Sequence, residues 1–447
     1  MEGFPLKTIT VVGTGYVGLV SGACLADFGN QVTCVDADLN KIESLSRLEI
    51  PFFEPGLLEL VRRNVEEGRL KFARNLGQAV KSSEVVFITV GTPPRPDGSA
   101  DISAIFAVAK IVAANLKGYK LVVQKSTAPV GTAREVGRVI KRHARRGAQF
   151  DIASNPEFLR EGAAIETFMR PDRVVIGAES ERAEAILRKI HDPLFLIETP
   201  MVVTTLETAE LIKYASNAFL ATKISFINEM ANLCESVGAD VQMVAKGMGM
   251  DRRIGSKFLH AGPGYGGSCF PKDTLALSSF GREAGLELRV VNATVAANRY
   301  QLRRMIDKIV AGIGSPRGKR VGVLGLSFKP NTDDLRESPA LEIVAGLRRR
   351  GVKVAVFDPV AMDGARKVLR GVEYAADAYE AARGSDALVI VTEWNEFRNM
   401  DLPRLKRLMR RPVLCDLRNL YDPAEVEAAG LRHVGVGRGR ATKGRHG

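Results

Sequence analysis

The sequence predicts an α/β protein with two Rossmann-like doubly wound domains joined by a central helical domain that carries one long helix. Three observations predict it. A strand, a glycine turn, a helix and a second strand open the chain. The same order recurs from Arg320, and a long apolar helix pattern lies between the two repeats.

Residues 8–13 (Thr-Ile-Thr-Val-Val-Gly) form a short β-branched run, followed by a helical stretch from Val17 to Phe28. Gly29-Asn30 ends that helix, and residues 31–35 form a second strand closing on Asp36. A strand, crossover helix and strand of this kind build a parallel sheet. Further strands are expected at Val85–Val90, Lys120–Lys125 and Arg173–Ile176, and the first domain is assigned to residues 1–203.

From Thr204 to Val237 the pattern predicts a single helix about 50 Å long at ~1.5 Å per residue. Thr204 and Glu207 read as a capping box, and Gly238 as the stop. Its apolar residues (Leu206, Ile212, Ala215, Phe219, Ile224, Phe226, Ile227, Met230 and Leu233) cover more than one face, which predicts burial against other domains or a second subunit. The central domain is assigned to residues 204–312. After a linker at Ile313–Arg320 come a strand at Arg320–Gly325, a helix from about Pro339 to Arg350, and a strand at Val352–Phe357 closing on Asp358. These place the last domain at residues 313–430. Residues 431–447 are basic and poor in apolar side chains, and are expected to be a disordered tail.

With 447 residues, 45% of them hydrophobic and 26% charged, the chain has room for several cores. It contains no run of apolar residues long enough for a membrane span, so no membrane partner is expected. The start of the chain enters a strand without an apolar leader, which predicts a cytoplasmic protein. The net charge of +13 is scattered rather than clustered with aromatics, so no nucleic-acid partner is expected. An excess of cations suits phosphorylated ligands. Five cysteines without a CxxC pair or zinc-like Cys/His spacing predict no metal site. Cys24, Cys34, Cys234 and Cys415 sit in apolar patterns as buried thiols, whereas Cys269 lies in a glycine-rich loop.

Two motifs carry chemistry. Gly13-Thr-Gly-Tyr-Val-Gly18 follows a strand and opens a helix. Its first glycine permits the turn, its second the approach of a pyrophosphate, and its third close helix packing. Asp36 stands where a carboxylate accepts from a ribose 2′-hydroxyl and repels a 2′-phosphate, so NAD is favoured over NADP. The second repeat, Gly325-Leu-Ser-Phe-Lys-Pro330, lacks the motif and predicts no second NAD site. The other motif, Gly262-Pro-Gly-Tyr-Gly-Gly-Ser-Cys-Phe-Pro-Lys-Asp273, sets a thiol, an ammonium and a carboxylate close together. Lys272 favours the thiolate, so Cys269 is a candidate nucleophile, with a loop thiol of no chemical role as the alternative.

Together with Phe53-Glu-Pro-Gly56, Asn155-Pro-Glu-Phe-Leu-Arg-Glu-Gly162 and Ser327-Phe-Lys-Pro-Asn-Thr-Asp-Asp-Leu-Arg-Glu-Ser338, these motifs resemble the UDP-glucose/GDP-mannose dehydrogenase family over about residues 7–430. The resemblance implies a four-electron oxidation of a nucleotide sugar's CH2OH to a carboxylate with NAD as cofactor. UDP-glucose is the expected sugar, and GDP-mannose or a UDP-N-acetylhexosamine the alternative. It makes Cys269 the nucleophile that forms a thiohemiacetal and then a thioester, and Asp273 the group that orients water. Lys213 and Asn217 become sugar contacts one helical turn apart, Lys213 facing the developing oxyanion. Glu157 and Glu161 are placed near the reacting carbon and the nicotinamide, with Thr127 at the catalytic centre. It assigns Gly13, Gly15, Tyr16, Val17, Gly18, Asp36, Lys41, Thr92, Thr127, Glu161, Lys272 and Arg336 to the cofactor. Phe158, Leu159, Arg160, Phe258, Leu259, His260, Ala261, Gly262, Gly266 and Lys329 go to the nucleotide sugar. Arg253 would enter the site of a neighbouring subunit in a homodimer. A two-electron dehydrogenase on the same N-terminal fold and a non-enzymatic nucleotide-binding protein are the rival readings.

Overall fold

The computed structural model describes residues 7–438. By internal packing the chain divides into two compact units. One comprises the residues up to Ser216 with Ser279–Gly285, and the other comprises Asn217–Ser278 with the residues from Leu286 onward.

In the first unit eight strands form one sheet: β1 (Thr8–Val12), β2 (Gln31–Val35), β3 (Leu70–Ala73), β4 (Val85–Ile88), β5 (Tyr119–Gln124), β6 (Gln149–Ser154), β7 (Val174–Ala178) and β8 (Met201–Thr204). Their order is β3-β2-β1-β4-β5-β6-β7-β8, and every pair is parallel except β6 with β7. The strand order reverses between β1 and β4, which opens a crevice beyond the carboxyl ends of those strands. β4 is Val-Val-Phe-Ile with every residue buried. Such a run fits a parallel strand covered on both faces, here by two apolar clusters, one around Val11, Leu19 and Phe87 and one around Ile88, Ile105 and Val122.

The second unit holds a six-stranded, all-parallel sheet: β9 (Arg320–Leu324), β10 (Lys353–Phe357), β11 (Glu373–Tyr374), β12 (Ala387–Ile390), β13 (Val413–Asp416) and β14 (Arg432–Gly435). The order β11-β10-β9-β12-β13-β14 repeats the reversal of the first sheet, between β9 and β12. β14 corrects the expected tail. Residues 432–435 pair with β13, Val436 is fully buried, and Gly437 exchanges backbone and carboxylate bonds with Val241 and Glu235. Arg432 and Gly435 make the segment read as polar, yet as an edge strand it needs few apolar contacts of its own. The remaining tail residues, 439–447, lie outside the described residues.

The long helix runs from Leu206 to Val237 and stops at Gly238, whose φ of 79° requires the left-handed region. The predicted cap is off by one residue. Thr204 is the last residue of β8, paired with Gly177, and the N–H of Thr208 bonds instead to Thr205 Oγ1 at 3.2 Å. Glu207 does not reach back to a cap, because Arg134 draws its carboxylate away at 2.5 Å.

Candidate functional site

The three motif glycines answer to three different constraints. Gly13 has φ 101°, and a Cβ there would sit 3.0 Å from Thr89 O. A Cβ on Gly18 would fall 1.8 Å from Gly13 O, so the helix Tyr16–Asp27 can lie against the turn only with glycine at that position. Nothing approaches within 4 Å of a Cβ placed on exposed Gly15, which caps the helix. Open space at a helix N-terminus is what a pyrophosphate needs, and these residues fit a dinucleotide.

Asp36, at the end of β2, accepts from Thr14 N at 2.7 Å and Thr14 Oγ1 at 2.8 Å, with Lys41 Nζ at 3.4 Å. Burial raises its pKa, but the Asp38 and Thr14 hydrogen bonds and the Lys41 charge outweigh that and hold it below the usual carboxylate range. Asp358 holds the matching position in the second sheet and behaves differently. It is 1% exposed and binds Leu326 N, Ser327 N, Ser327 Oγ, Trp394 Nε1, Val360 N and Ala361 N. One repeat therefore leaves its carboxylate partly exposed, and the other buries it completely.

The loop after β6 brings Glu157 onto the long helix. Glu157 Oε1 lies 3.0 Å from Lys213 Nζ, and its other oxygen accepts from Leu159 N at 2.6 Å. The Phe158 ring lies between two cations, 3.6 Å from the Arg173 guanidinium and 5.3 Å from Lys213 Nζ. Lys125, which sequence reasoning passed over, is fully buried in the same cavity wall and donates to Asn155 Oδ1 at 3.0 Å. Burial pushes its ammonium down to about 8, with Glu157 opposing and Lys213 reinforcing the shift.

Two other carboxylates were also missed. Glu54 accepts from Tyr16 Oη, Gly162 N and Ala164 N, tying the cofactor loop to the loop that carries Glu161. Glu210 takes Gly131 N at 2.6 Å and Ala133 N at 2.7 Å at the start of the helix Thr132–His143. Thr127 precedes that helix, and its carbonyl accepts from Thr92 Oγ1 at 2.7 Å. A Glu three residues before Lys213 on one helix face was the available signal for Glu210.

In the second unit Cys269 stands immediately before the helix Phe270–Glu283, and its carbonyl accepts from Asp273 N at 2.8 Å. It is part-exposed, with Ser268 Oγ 3.6 Å from its sulfur. A thiol there meets the positive end of the helix. The other four cysteines are buried, and burial drives the Cys34 and Cys415 thiols up to about 12. Asp273 is 0% exposed and held from both sides, by Lys272 Nζ and Asn217 Nδ2, each at 2.6 Å.

The chain matches three models in sequence order. These are the NAD binding domain of the UDP-glucose/GDP-mannose dehydrogenase family over residues 7–195, its central domain over 207–300 and its UDP binding domain over 322–423. The chain belongs to the UDP-glucose/GDP-mannose dehydrogenase family. It is 56% identical to a UDP-glucose 6-dehydrogenase of Rhizobium meliloti, over 96% of this chain and 99% of the relative. Among solved structures it is similar to a UDP-glucose dehydrogenase of Pyrobaculum islandicum, with TM-score 0.91, 40% identity and 99% of each chain covered. A UDP-D-ManNAc dehydrogenase of Pyrococcus horikoshii is similar at TM-score 0.85 and 27% identity, covering 97% of this chain and 100% of that one.

Against that family, the remaining expected residues fall into groups. Leu259 and Ala261 are core side chains, so they can offer a ligand only backbone, while His260 beside them is exposed. Phe258 holds a φ of 64°, a strained value for an aromatic residue. Gly262 and Gly266 pack where a Cβ would meet Leu417 O at 3.3 Å and Glu337 O at 2.2 Å respectively. Lys329 Nζ lies 5.3 Å from the Phe328 ring centroid, and Arg336 pairs with Asp334. Arg160 turns toward Thr167, donating to its hydroxyl at 3.1 Å. Arg253 is 89% exposed and pairs with Asp251 on its own loop. Val17 is partly buried in the first turn of the cofactor helix. Among the described residues no cluster of His, Cys, Asp and Glu could hold a metal ion, and no helix is long and apolar enough to cross a membrane.

Proposed function

We propose that the chain is a UDP-glucose 6-dehydrogenase, converting the C6 hydroxymethyl of UDP-glucose to the carboxylate of UDP-glucuronate. The observation that carries the mechanism is Cys269, the one part-exposed thiol among four buried ones, at a helix start beside the Lys272–Asp273–Asn217 cluster. NAD, when bound, accepts a hydride from C6 in each of the two oxidations. The Cys269 sulfur adds to the aldehyde and holds it as a thiohemiacetal, which the second oxidation turns into a thioester. Water, oriented by Asp273, breaks the carbon–sulfur bond and returns the thiol. Each sugar consumes two NAD and one water and releases three protons. Lys213 stabilises the oxyanion that develops at C6, and Glu157 holds its ammonium in place.

The long helix supports assembly as a homodimer. Phe219, Phe226, Leu233 and Val237 are 66%, 43%, 52% and 66% exposed. At about 100° per residue they share one face, directly opposite Asn217, Asn228 and Asn232. A row of large apolar side chains spaced seven, seven and four residues apart suits the same row on a second copy. Arg253, extended into solvent, would then reach a partner's nucleotide sugar. A cytoplasmic setting accords with five cysteines of which none forms a disulfide.

The test is a panel of nucleotide sugars with NAD, counting NADH formed per sugar. UDP-glucose giving two NADH is the expected result. One NADH per sugar, or a clear preference for GDP-mannose or a UDP-N-acetylhexosamine, overturns it.

A further inference from the structure

The loop leading to Cys269, Phe258–Ser268, holds four glycines and few side chains able to fix it. Its backbone is held by side-chain amides from two helices. Gly262 N donates to Asn228 Oδ1 at 2.8 Å, and Gly262 O accepts from Gln301 Nε2 at 2.8 Å. Asn298 bonds both backbone groups of Tyr265, accepting from its N–H at 2.8 Å and donating to its carbonyl at 3.0 Å. Asn232 Nδ2 donates to Gln301 Oε1 at 2.9 Å, which fixes which end of that amide faces the loop. Asn228 and Gln301 are 2% and 1% exposed, so water offers these groups no substitute partner. A primary amide carries a donor and an acceptor on separate atoms, so it can satisfy an N–H and a C=O together, as Asn298 does.

We infer that Asn228, Asn298 and Gln301 are positioning residues for Cys269: they set where its sulfur stands, and with it the capture of the aldehyde. None of the three amides is among the residues assigned to the cofactor. Gly264, at φ 120°, lies against the Asn298 amide, with a Cβ position 2.7 Å from Oδ1. The loop therefore passes the clamp with no room to shift toward it. The consequence for catalysis rests on the cysteine mechanism proposed above; the consequence for the thiol does not.

The test has two arms, each on the full-length protein, with Asn298→Ala, Asn298→Asp and Gln301→Leu. Asp keeps the acceptor for Tyr265 N and loses the donor for Tyr265 O, so it separates the two bonds in a variant of nearly unchanged volume. The first arm measures the rate of iodoacetamide alkylation at Cys269 by mass spectrometry, with no substrate present. A change of about tenfold is expected, alongside unchanged NAD affinity. The second arm incubates each variant with UDP-glucose, NAD and hydroxylamine. Trapped aldehyde should appear, and NADH per sugar should fall from two toward one, with KM changing less than kcat. Gln242→Ala, which removes an exposed amide on another helix, should alter neither arm. Wild-type alkylation rates in folded Asn298→Asp and Gln301→Leu overturn the inference. Should the unmodified protein oxidise no nucleotide sugar, the functional reading fails, and the alkylation arm still decides the clamp.

Discussion

Lys213 Nζ lies 3.0 Å from Glu157 Oε1, and the two side chains are 5% and 6% exposed. A pair so deeply buried is costly to break from one side, because the remaining charge has no water to turn to. Lys213→Met should lower stability by roughly 3–5 kcal/mol, read as the shift in thermal unfolding midpoint. The pH dependence has a definite sign. Burial raises the Glu157 carboxyl, but the charge and hydrogen bond of Lys213 outweigh it and hold the folded-state value below 4.5. A depressed carboxyl adds stability above its unfolded pKa, and that stability is lost as pH falls through the folded value. Lys213→Met should therefore unfold at a higher pH during acid titration. An unchanged acid midpoint would remove the pair from the stability of this unit.

Asp36 predicts the choice of cofactor. Its carboxylate remains ionised at the end of β2, so NAD should be used far better than NADP, and Asp36→Ala should narrow the gap. The measurement is the ratio of kcat/KM for the two cofactors. Equal use of both by the unmodified protein would overturn this reading of Asp36.

The five thiols should divide one to four. Native-state alkylation should label Cys269 alone, because the other four are buried and burial pushes their pKa values up. Cys269→Ser should still bind NAD and the nucleotide sugar while turnover collapses, since a serine hydroxyl supplies no thiolate-like nucleophile at neutral pH. Cys24→Ala and Cys415→Ala are the internal controls, expected to cost stability and to leave the chemistry intact. Two NADH per sugar from Cys269→Ser at the original rate would sink the covalent route.

The exposed stripe on the long helix predicts the behaviour of Phe226→Asp. Sedimentation of the unmodified protein should give a dimer, and the variant a folded monomer, because a carboxylate at the centre of an apolar interface has no partner. An active wild-type monomer at working concentration would leave Arg253 with no partner site to enter.

What was legible in the sequence depended on how far apart the partners lie along the chain. β1, β2 and the glycine turn are local, and Gly13 and Gly18 meet the constraints their spacing implied. Strand ends moved by one or two residues, as β4 ending at Ile88 rather than Val90 illustrates. Thr204 and Thr205 were equivalent as caps until the pairing of Thr204 with Gly177 assigned one of them to a strand. Glu54 reaches Gly162, 108 residues away, and Asn298 reaches Tyr265, 33 residues away. Asn298 carries no local pattern, and the motif around Glu54 names no partner, so only the fold could reveal these contacts. β14 was missed for another reason: an edge strand of Arg-His-Val-Gly has too little apolar content to stand out from a polar tail.

The anchors along the long helix have a consequence for length. Asn217, Asn228, Asn232 and Glu235 bind, in turn, Asp273, the Gly262 backbone, Gln301, and the Arg304, Lys308 and Gly437 cluster. Within this one rod each added residue turns everything beyond it by about 100° and advances it ~1.5 Å. A single insertion between Asn217 and Asn228 would leave one set of anchors facing its targets and swing the other away. Removing seven residues would nearly restore the angle, yet pull the two sets about 10 Å closer. Between these positions the count of residues cannot vary. Related chains should carry their insertions and deletions in the surface loops and keep this interval fixed.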